Sequence, residues 1–190
     1  MQFGAFPKTN IPVKIDSFES YVSLVNTLIE TKSIQKPRQI WWKIRPHLDY
    51  GTLEYRICDV QRSLKRTELM VALTQALVHS YDHKVKINKN IEDMNYEILN
   101  DTFWKSMRFG FNGLITDCFD GQKLSLREYV YKMIDNIYPS LEELGNLNTI
   151  KTLDEIMKNG TEADQQIAFE KKHGIDNLLH FLMDEVEYNY

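Results

Sequence analysis

The stretch WWKIRPHLDYGTLEYRICD, residues 41–59, decides the fold, because its side chains alternate as in two strands joined by a short turn. One face of the first strand carries the polar residues Lys43, Arg45 and His47. One face of the second strand carries Thr52, Glu54, Arg56 and Cys58. The opposite face is apolar and aromatic and carries Trp42, Ile44, Leu53, Tyr55 and Ile57. The stretch therefore predicts a stiff hairpin with one face suited to anions and metal ions.

A solvated outer face is the alternative interpretation, since half-buried antiparallel hairpins commonly alternate apolar and polar side chains. The composition of the polar face favours a ligand site instead. It combines guanidinium groups with a carboxylate and an imidazole, whereas a solvated face is typically rich in Lys, Glu, Ser and Thr. The planar fork of arginine matches phosphate and carboxylate oxygens, and glutamate supplies the hard oxygen that Mg²⁺ prefers.

Length and composition limit the class of protein. The 190 residues, 43% of them hydrophobic, suit one globular domain over residues 1–190 with a real core. A net charge of -4 lacks the basic excess of a nucleic-acid binder. No run approaches the roughly 18 apolar residues of a membrane span, and the start does not resemble a secretory signal. Cys58 and Cys118 stand among apolar residues, which predicts buried, reduced thiols in a cytoplasmic protein.

Capping residues and hydrophobic spacing predict helices over most of the remaining chain. They cover about 17–31, 64–82, 93–109, 126–137, 148–158, 162–173 and the residues after 176. The dipeptide Asp120-Gly121 predicts a second hairpin over 114–124. Pro139 is expected to break or restart the fourth helix. These elements predict an α+β fold, with antiparallel strands flanked by several helices.

Two of these helices are expected to be strongly buried. The second one has a broad apolar face, made of Leu64, Met70, Val71, Leu73, Ala76, Leu77 and Val78. The last one has a buried stripe, made of Leu178, Leu179, Phe181, Leu182 and Val186.

Two sets of helical residues are candidates for binding. His79 and His83 stand four apart, which is metal-ligand spacing, but a helix C-terminus favours histidine electrostatically and no third ligand lies nearby in sequence. A structural role is therefore favoured for this pair. Asn100, Trp104 and Arg108 also recur every four residues and share one helix face. Contact with a ligand and packing against a sheet are both open for that face.

The opening stretch resembles the signature of the carboxylate–amine ligases related to glutamate–cysteine ligase. The resemblance lies in Trp-Trp-x-Ile-Arg-Pro-His at 41–47 and in Gly-Thr-Leu-Glu-Tyr-Arg-Ile-Cys-Asp at 51–59. The segment Phe-Pro-Lys-Thr-Asn-Ile-Pro at 6–12 and the helix and turn at 100–117 are also similar to segments of that family. The match runs along the whole chain and implies the C-terminal part of a glutamine-synthetase-like fold, a curved antiparallel sheet flanked by helices.

The resemblance implies an ATP- and Mg²⁺-dependent ligase of glutathione biosynthesis. Such an enzyme activates the γ-carboxylate of glutamate as an acyl phosphate, which an amine such as that of cysteine attacks. Glu54 would ligate Mg²⁺, and Arg56 would bind the γ-phosphate. Arg45 and His47 would act in catalysis beside it, with Arg45 and Lys43 also on the nucleotide. Asn100, Trp104 and Arg108 would contribute a substrate wall.

The resemblance also implies an incomplete active site, because one glutamate is too few for the metal ions that these ligases use. The N-terminal half of the enzyme, which supplies further acidic ligands, is therefore an expected partner, and a homo-oligomer is expected as in the family. The chain alone should be inactive. A non-catalytic module that binds nucleotide or other anions, and a purely structural interaction domain, remain as alternatives.

Overall fold

In a computed structural model of the protein, residues 6–86 and 94–187 are described, and the chain divides into two compact units, residues 1–59 and 60–190. The architecture is α+β, with two small antiparallel sheets, as the sequence predicted. The single domain over residues 1–190 stays a prediction. Each unit is built around its own group of buried apolar side chains.

The first unit consists of one helix, a single turn of 3-10 helix and a hairpin. Its elements are α1 (Phe18–Glu30), the 3-10 turn Pro37–Gln39, β1 (Ile44–His47) and β2 (Thr52–Tyr55). The side chain of Ser17 accepts a hydrogen bond from the backbone N–H of Ser20 and begins α1, as its sequence predicts.

The core of the first unit ties α1 to the hairpin. Tyr21 and Val25 of α1 are buried together with Ile34, Ile40 and Trp42. The ring of Tyr21 lies 6.2 Å from that of Trp42, and its hydroxyl donates to the carbonyl oxygen of Pro46 over 3.2 Å. The helix therefore holds β1 through both apolar packing and a hydrogen bond.

The second unit is mostly helical and carries the second hairpin. Its elements are α2 (Leu64–Lys86), α3 (Tyr96–Phe109), the 3-10 turn Gly110–Asn112, β3 (Leu114–Thr116), β4 (Lys123–Ser125), α4 (Leu126–Glu143), the 3-10 turn Leu147–Thr149, α5 (Ile150–Asn159), α6 (Glu162–His173), the 3-10 turn Ile175–Asn177 and α7 (Leu178–Glu187). The core lies between α2, α4 and α5 and contains Leu69, Ala76, Ile134, Ile137, Leu141, Leu153, Ile156 and Met157. Residue 93, the predicted start of α3, lies outside the described residues.

The second hairpin, predicted over 114–124, and the helix that follows it are both present. Leu114 pairs with Ser125 and Thr116 with Lys123, and Ser125 and Glu128 form a capping box at the start of α4. The ammonium group of Lys132 in α4 binds the carboxylates of Asp117 and Asp120 over 2.6 and 2.7 Å. This pair of bonds attaches the turn of the hairpin to the helix.

The prediction that Pro139 breaks or restarts the fourth helix is wrong, because α4 continues through it to Glu143. Proline cannot donate a backbone hydrogen bond, so the helix loses one bond at this point. Ile137 and Leu141, on either side of the proline, are almost fully buried in the core. Their burial offsets the lost bond, since fully burying such a side chain contributes roughly 1.5–3 kcal/mol.

The expected extensive burial of α2 is confirmed on one side only. Leu69, Ala72 and Ala76 are buried, whereas Leu64 and Val71 remain 58% and 62% exposed. The helix packs one side against α4 and α5 within the described part of the chain. Periodicity identified its apolar residues but could not specify how many of its sides would be covered.

We expect Leu69→Ala to lower the free energy of unfolding by about 3 kcal/mol, because it removes methyl groups from a fully buried site. Val71→Ala, two residues later on the exposed side, should change it by less than about 0.5 kcal/mol. Urea denaturation of both variants checks the difference. Equal losses would mean that both sides of α2 are covered in solution.

Other burial predictions were also wrong in part. Leu179 of the predicted α7 stripe is exposed, and Leu178, Phe181 and Leu182 are half-buried, while the side chain of Val186 lies outside the described part. Both cysteines are free thiols as predicted, but Cys58 is exposed and Cys118 is buried. In the described ranges, no helix is long and apolar enough to cross a membrane.

Candidate functional site

The hairpin β1–β2 brings the predicted site residues of the two strands opposite each other. Arg45 pairs with Glu54 and His47 with Thr52 across the antiparallel ladder. Gly51 closes the turn with a backbone φ of +59°, a conformation that glycine adopts without steric cost. The strand pairing predicted from alternation is therefore confirmed, and it places Arg45 and Glu54 in direct contact.

Arg45 is a buried and fully anchored side chain, with 6% of its surface exposed. Its Nε donates to Oε2 of Glu54 over 2.6 Å. Its Nη1 donates to the carbonyl oxygens of Arg38 and Ile40, each over 2.6 Å. Arg45 thus fixes the orientation of Glu54 and ties the segment before β1 to the hairpin.

Arg56 approaches the same carboxylate from the other side. Its Nη1 donates to Oε1 of Glu54 over 2.5 Å, and its guanidinium carbon lies 5.8 Å from the centre of the Trp41 ring. Both the Arg56 and the Glu54 side chains are 34% exposed, unlike Arg45. We call Arg45, Glu54 and Arg56 the Arg–Glu–Arg cluster. Two guanidinium groups share one carboxylate, so the cluster keeps a net positive charge and a partly exposed arginine.

The pKa of Glu54 lies below its ordinary value. Burial alone would raise it, but the hydrogen bond and the charge of Arg45, followed by the charge and the hydrogen bond of Arg56, outweigh burial. The carboxylate is therefore ionised at neutral pH and remains so in mild acid.

Because the pKa of Glu54 is lower in the folded than in the unfolded chain, its ion pairs stabilise the fold above the unfolded pKa. That contribution should disappear as the pH falls through the lowered folded pKa. We expect the stability difference between the wild type and Glu54→Gln to shrink steadily on acidification below about pH 4.5. Urea denaturation at a series of pH values tests this, and a difference that is constant down to pH 2 would contradict it.

His47 and Lys43 lie on the same strand segment as Arg45 but make different contacts. The ring of His47 lies 4.6 Å from the ring of Tyr50, and within the described residues its Nδ1 is buried without a hydrogen-bond partner. Lys43 is half-buried, and its backbone carbonyl accepts a hydrogen bond from the N–H of Arg56 over 2.8 Å. The backbone at Lys43 thereby extends the hairpin by one bond beyond β1.

Asn100, Trp104 and Arg108 belong to α3 in the second unit. All three are exposed and share one side of the helix, as their spacing predicts. Trp104 packs edge-on against Phe109 at 5.7 Å between ring centres, and the guanidinium of Arg108 lies 5.6 Å from the same ring. Their proposed contact with a substrate stays a prediction.

His79 has structural contacts, in agreement with the role favoured for it. Its Nδ1 lies 3.1 Å from the Ser140 hydroxyl, and its Nε2 lies 3.7 Å from a carboxylate oxygen of Glu143. Over residues 6–86 and 94–187, no three His, Cys, Asp or Glu side chains lie close enough together to hold a metal ion.

A second buried ionic group was missed by sequence reasoning. Glu162, at the start of α6, accepts hydrogen bonds from Arg62 and Arg66, which lie about 100 residues earlier in the chain. Arg62 also donates to the side chain of Gln165 over 3.1 Å and lies 4.4 Å from the ring of Phe181. In the sequence Glu162 looked like an ordinary acidic residue in a first helical turn, so no local signal could have identified this group.

Comparison with known proteins identifies the family to which the chain is similar. The sequence model described as Glutamate-cysteine ligase family 2 matches residues 1–178. A protein of Solibacter usitatus is 29% identical over 187 residues, covering 98% of this chain and 49% of that protein. Proteins of Herpetosiphon aurantiacus and Chloroflexus aurantiacus are 26% and 28% identical over 189 residues, covering 97% of this chain in both cases. All three carry the name "Putative glutamate--cysteine ligase 2". The chain spans about half the length of these curated relatives.

Proposed function

The chain belongs to glutamate–cysteine ligase family 2, and on that premise we propose that it carries part of the active site of an ATP-dependent carboxylate–amine ligase. The proposed reaction joins the γ-carboxylate of glutamate to an amine such as that of cysteine through an acyl phosphate. The Arg–Glu–Arg cluster is the observation that carries this proposal. Phosphoryl transfer depends on positioned positive charge, which a partly exposed arginine beside an anchored carboxylate provides.

Each member of the cluster has a proposed role. Arg56, one-third exposed, would bind the transferred phosphate and neutralise the charge that develops on it. Arg45, buried and holding Glu54, is better suited to positioning than to contact with the nucleotide. Lys43 and His47 would complete the nucleotide and substrate side of the hairpin.

The residues around Glu54 could hold a magnesium ion only together with the phosphates of a bound nucleotide. Both oxygens of Glu54 already accept a guanidinium hydrogen bond, although a carboxylate has about four lone-pair sites. Mg²⁺ commonly binds one or two carboxylates and takes its other ligands from phosphates and water. Glu54 would therefore supply one ligand, and the ion when bound would neutralise charge on the phosphates.

We also propose that the hairpin β1–β2 belongs to a larger sheet, of the glutamine-synthetase type, than the described residues form. Leu53 of β2 and Ile57, which follows the strand, are half exposed, at 50% and 53%. A two-stranded hairpin is marginally stable alone, and it is normally extended by additional strands or packed against a helix. We define the complementary half as the part of the family's longer polypeptides that this chain does not span. It would supply those strands and further acidic metal ligands.

The test measures ADP release and γ-glutamyl product by mass spectrometry, with ATP, Mg²⁺, glutamate and cysteine. The chain alone should be inactive, and the chain with the complementary half from the same organism should form product. Glu54→Gln should reduce turnover at least a hundredfold in that assembly, whereas Glu68→Gln on the exposed side of α2 should leave it unchanged. Absence of product from the assembled wild type, or full turnover in Glu54→Gln, would refute the proposed function.

A further inference from the structure

A cleft beside β1 lies within the first unit. Its volume is about 390 Å³, and it is lined by Lys36, Pro37, Arg38, Arg45, Pro46, His47, Leu48, Asp49 and Tyr50. Pockets for small molecules have volumes of roughly 300–1,000 Å³. The cleft is therefore large enough for an amino acid or an inorganic anion.

The charge of the lining is predominantly positive. Lys36 and Arg38 are exposed residues of the lining, Arg45 is a buried one, and Asp49 is the acidic residue among those that line the cleft. The backbone carbonyl of Arg38 is held by Arg45, so the segment that carries Lys36 and Arg38 is tied to the hairpin. This anchoring reduces the loss of conformational entropy when a ligand binds.

His47 lines the same cleft and carries a polar atom without a partner in the described part of the chain. Within the described residues its Nδ1 is buried and has no hydrogen-bond partner, a state that costs roughly 1–3 kcal/mol. Tyr50, whose ring packs on that of His47, also lines the cleft and is largely exposed. Because Nδ1 is enclosed by protein, the ring of His47 would have to turn toward the cleft before a ligand oxygen could give Nδ1 its missing bond. A histidine ring nitrogen can then donate or accept according to its tautomer.

We propose that this cleft binds an oxyanion group, a carboxylate or a phosphate, between Lys36, Arg38 and His47. The assignment of that oxyanion to the amino-acid substrate rests on the proposed ligase function. The cleft is distinct from the exposed side of Arg56, because neither Arg56 nor Glu54 lines it. Arg45 connects the two regions, since it lines the cleft and also binds Glu54.

The experiment titrates the chain separately with glutamate and with inorganic phosphate at constant ionic strength. Imidazole NMR signals follow His47, and its peaks are assigned by their loss in His47→Gln. Saturable shifts of His47 support the proposal, and the ligand that causes them identifies carboxylate, phosphate or both. Failure of both ligands to shift His47 saturably would overturn it.

Two double variants distinguish specific binding in the cleft from nonspecific electrostatic binding to the chain. Lys36→Ala with Arg38→Ala should weaken the Kd roughly tenfold or more, because the two exposed cations of the cleft are lost while the backbone carbonyl at position 38 remains. Lys65→Ala with Lys123→Ala removes the same charge from exposed positions of the second unit and should leave the Kd unchanged. Equal weakening in both double variants would refute a site in the cleft.

The outcomes for the cleft and for the ligase function differ. Saturable binding to a chain whose assembly with the complementary half makes no product would retain the cleft and reject the ligase function. An active assembly in which the Lys36→Ala, Arg38→Ala variant keeps the KM values of all substrates would reject the assignment to the amino-acid substrate and retain the ligase function.

Discussion

Arg56→Ala should reduce kcat by roughly a thousandfold in the assembly with the complementary half, since a phosphate-binding arginine contributes about 10³–10⁵ to such reactions. Its effect on the unfolding free energy of the chain should be below about 1 kcal/mol, because its ion pair with Glu54 is partly solvated. Product formation and urea denaturation give the two numbers.

Arg45→Ala is the matched variant, and its main expected effect is on stability, whereas that of Arg56→Ala is on kcat. It removes a buried guanidinium from Glu54 and from two backbone carbonyls, so the chain should lose about 3 kcal/mol of stability. Lys105→Ala, which breaks an exposed pair with Asp101, serves as the control and should cost less than about 0.5 kcal/mol. A stable Arg45→Ala chain, or an active Arg56→Ala assembly, would contradict this division between a positioning and a phosphate-binding arginine.

The second large expected effect is a loss of stability on substitution of Glu162. Its side chain is 6% exposed, and its carboxylate is shared by Arg62 and Arg66, whose side chains are 7% and 12% exposed. Glu162→Gln leaves those two guanidinium groups without their common counter-charge, which should cost about 3 kcal/mol or more. Urea denaturation measures the loss.

Glu155→Gln is the matched control for Glu162, because it makes the same chemical change at an exposed position of α5. We expect it to change the unfolding free energy by less than about 0.5 kcal/mol. If the two variants have the same stability, the buried ionic group does not hold the start of α2 against α6.

Local chemistry explains why much of the fold could be predicted. Ser17, Ser125 and Thr161 each accept a hydrogen bond from a backbone N–H within the next three residues, so the helix starts are encoded nearby in sequence. Alternation in the stretch 41–59 predicted the two strands and placed Arg45 and Glu54 on the polar face, and the structure pairs these two residues. The membership of the ligase family was likewise recognisable from that stretch and is confirmed by the family match.

The remaining features depend on contacts between distant residues. Alternation placed Arg45 on a polar face, yet the residue is buried, because the carbonyls of Arg38 and Ile40 satisfy its guanidinium. Pro139 is tolerated inside α4 because Ile137 and Leu141 are buried around it. Neither outcome is visible in a local window of sequence.

By itself the sequence determined most of the local elements, the two strands of the first hairpin, the chemistry concentrated on one face of that hairpin and the family. Hydrogen bonds within a few residues and alternating polarity decide these, and both are properties of the chain before it packs. The tertiary structure alone decided that Arg45 is anchored while Arg56 stays accessible, that Glu162 joins two distant arginines, and that one side of α2 stays exposed. Burial and ion pairing depend on which surfaces meet, and that is settled only when the elements pack together.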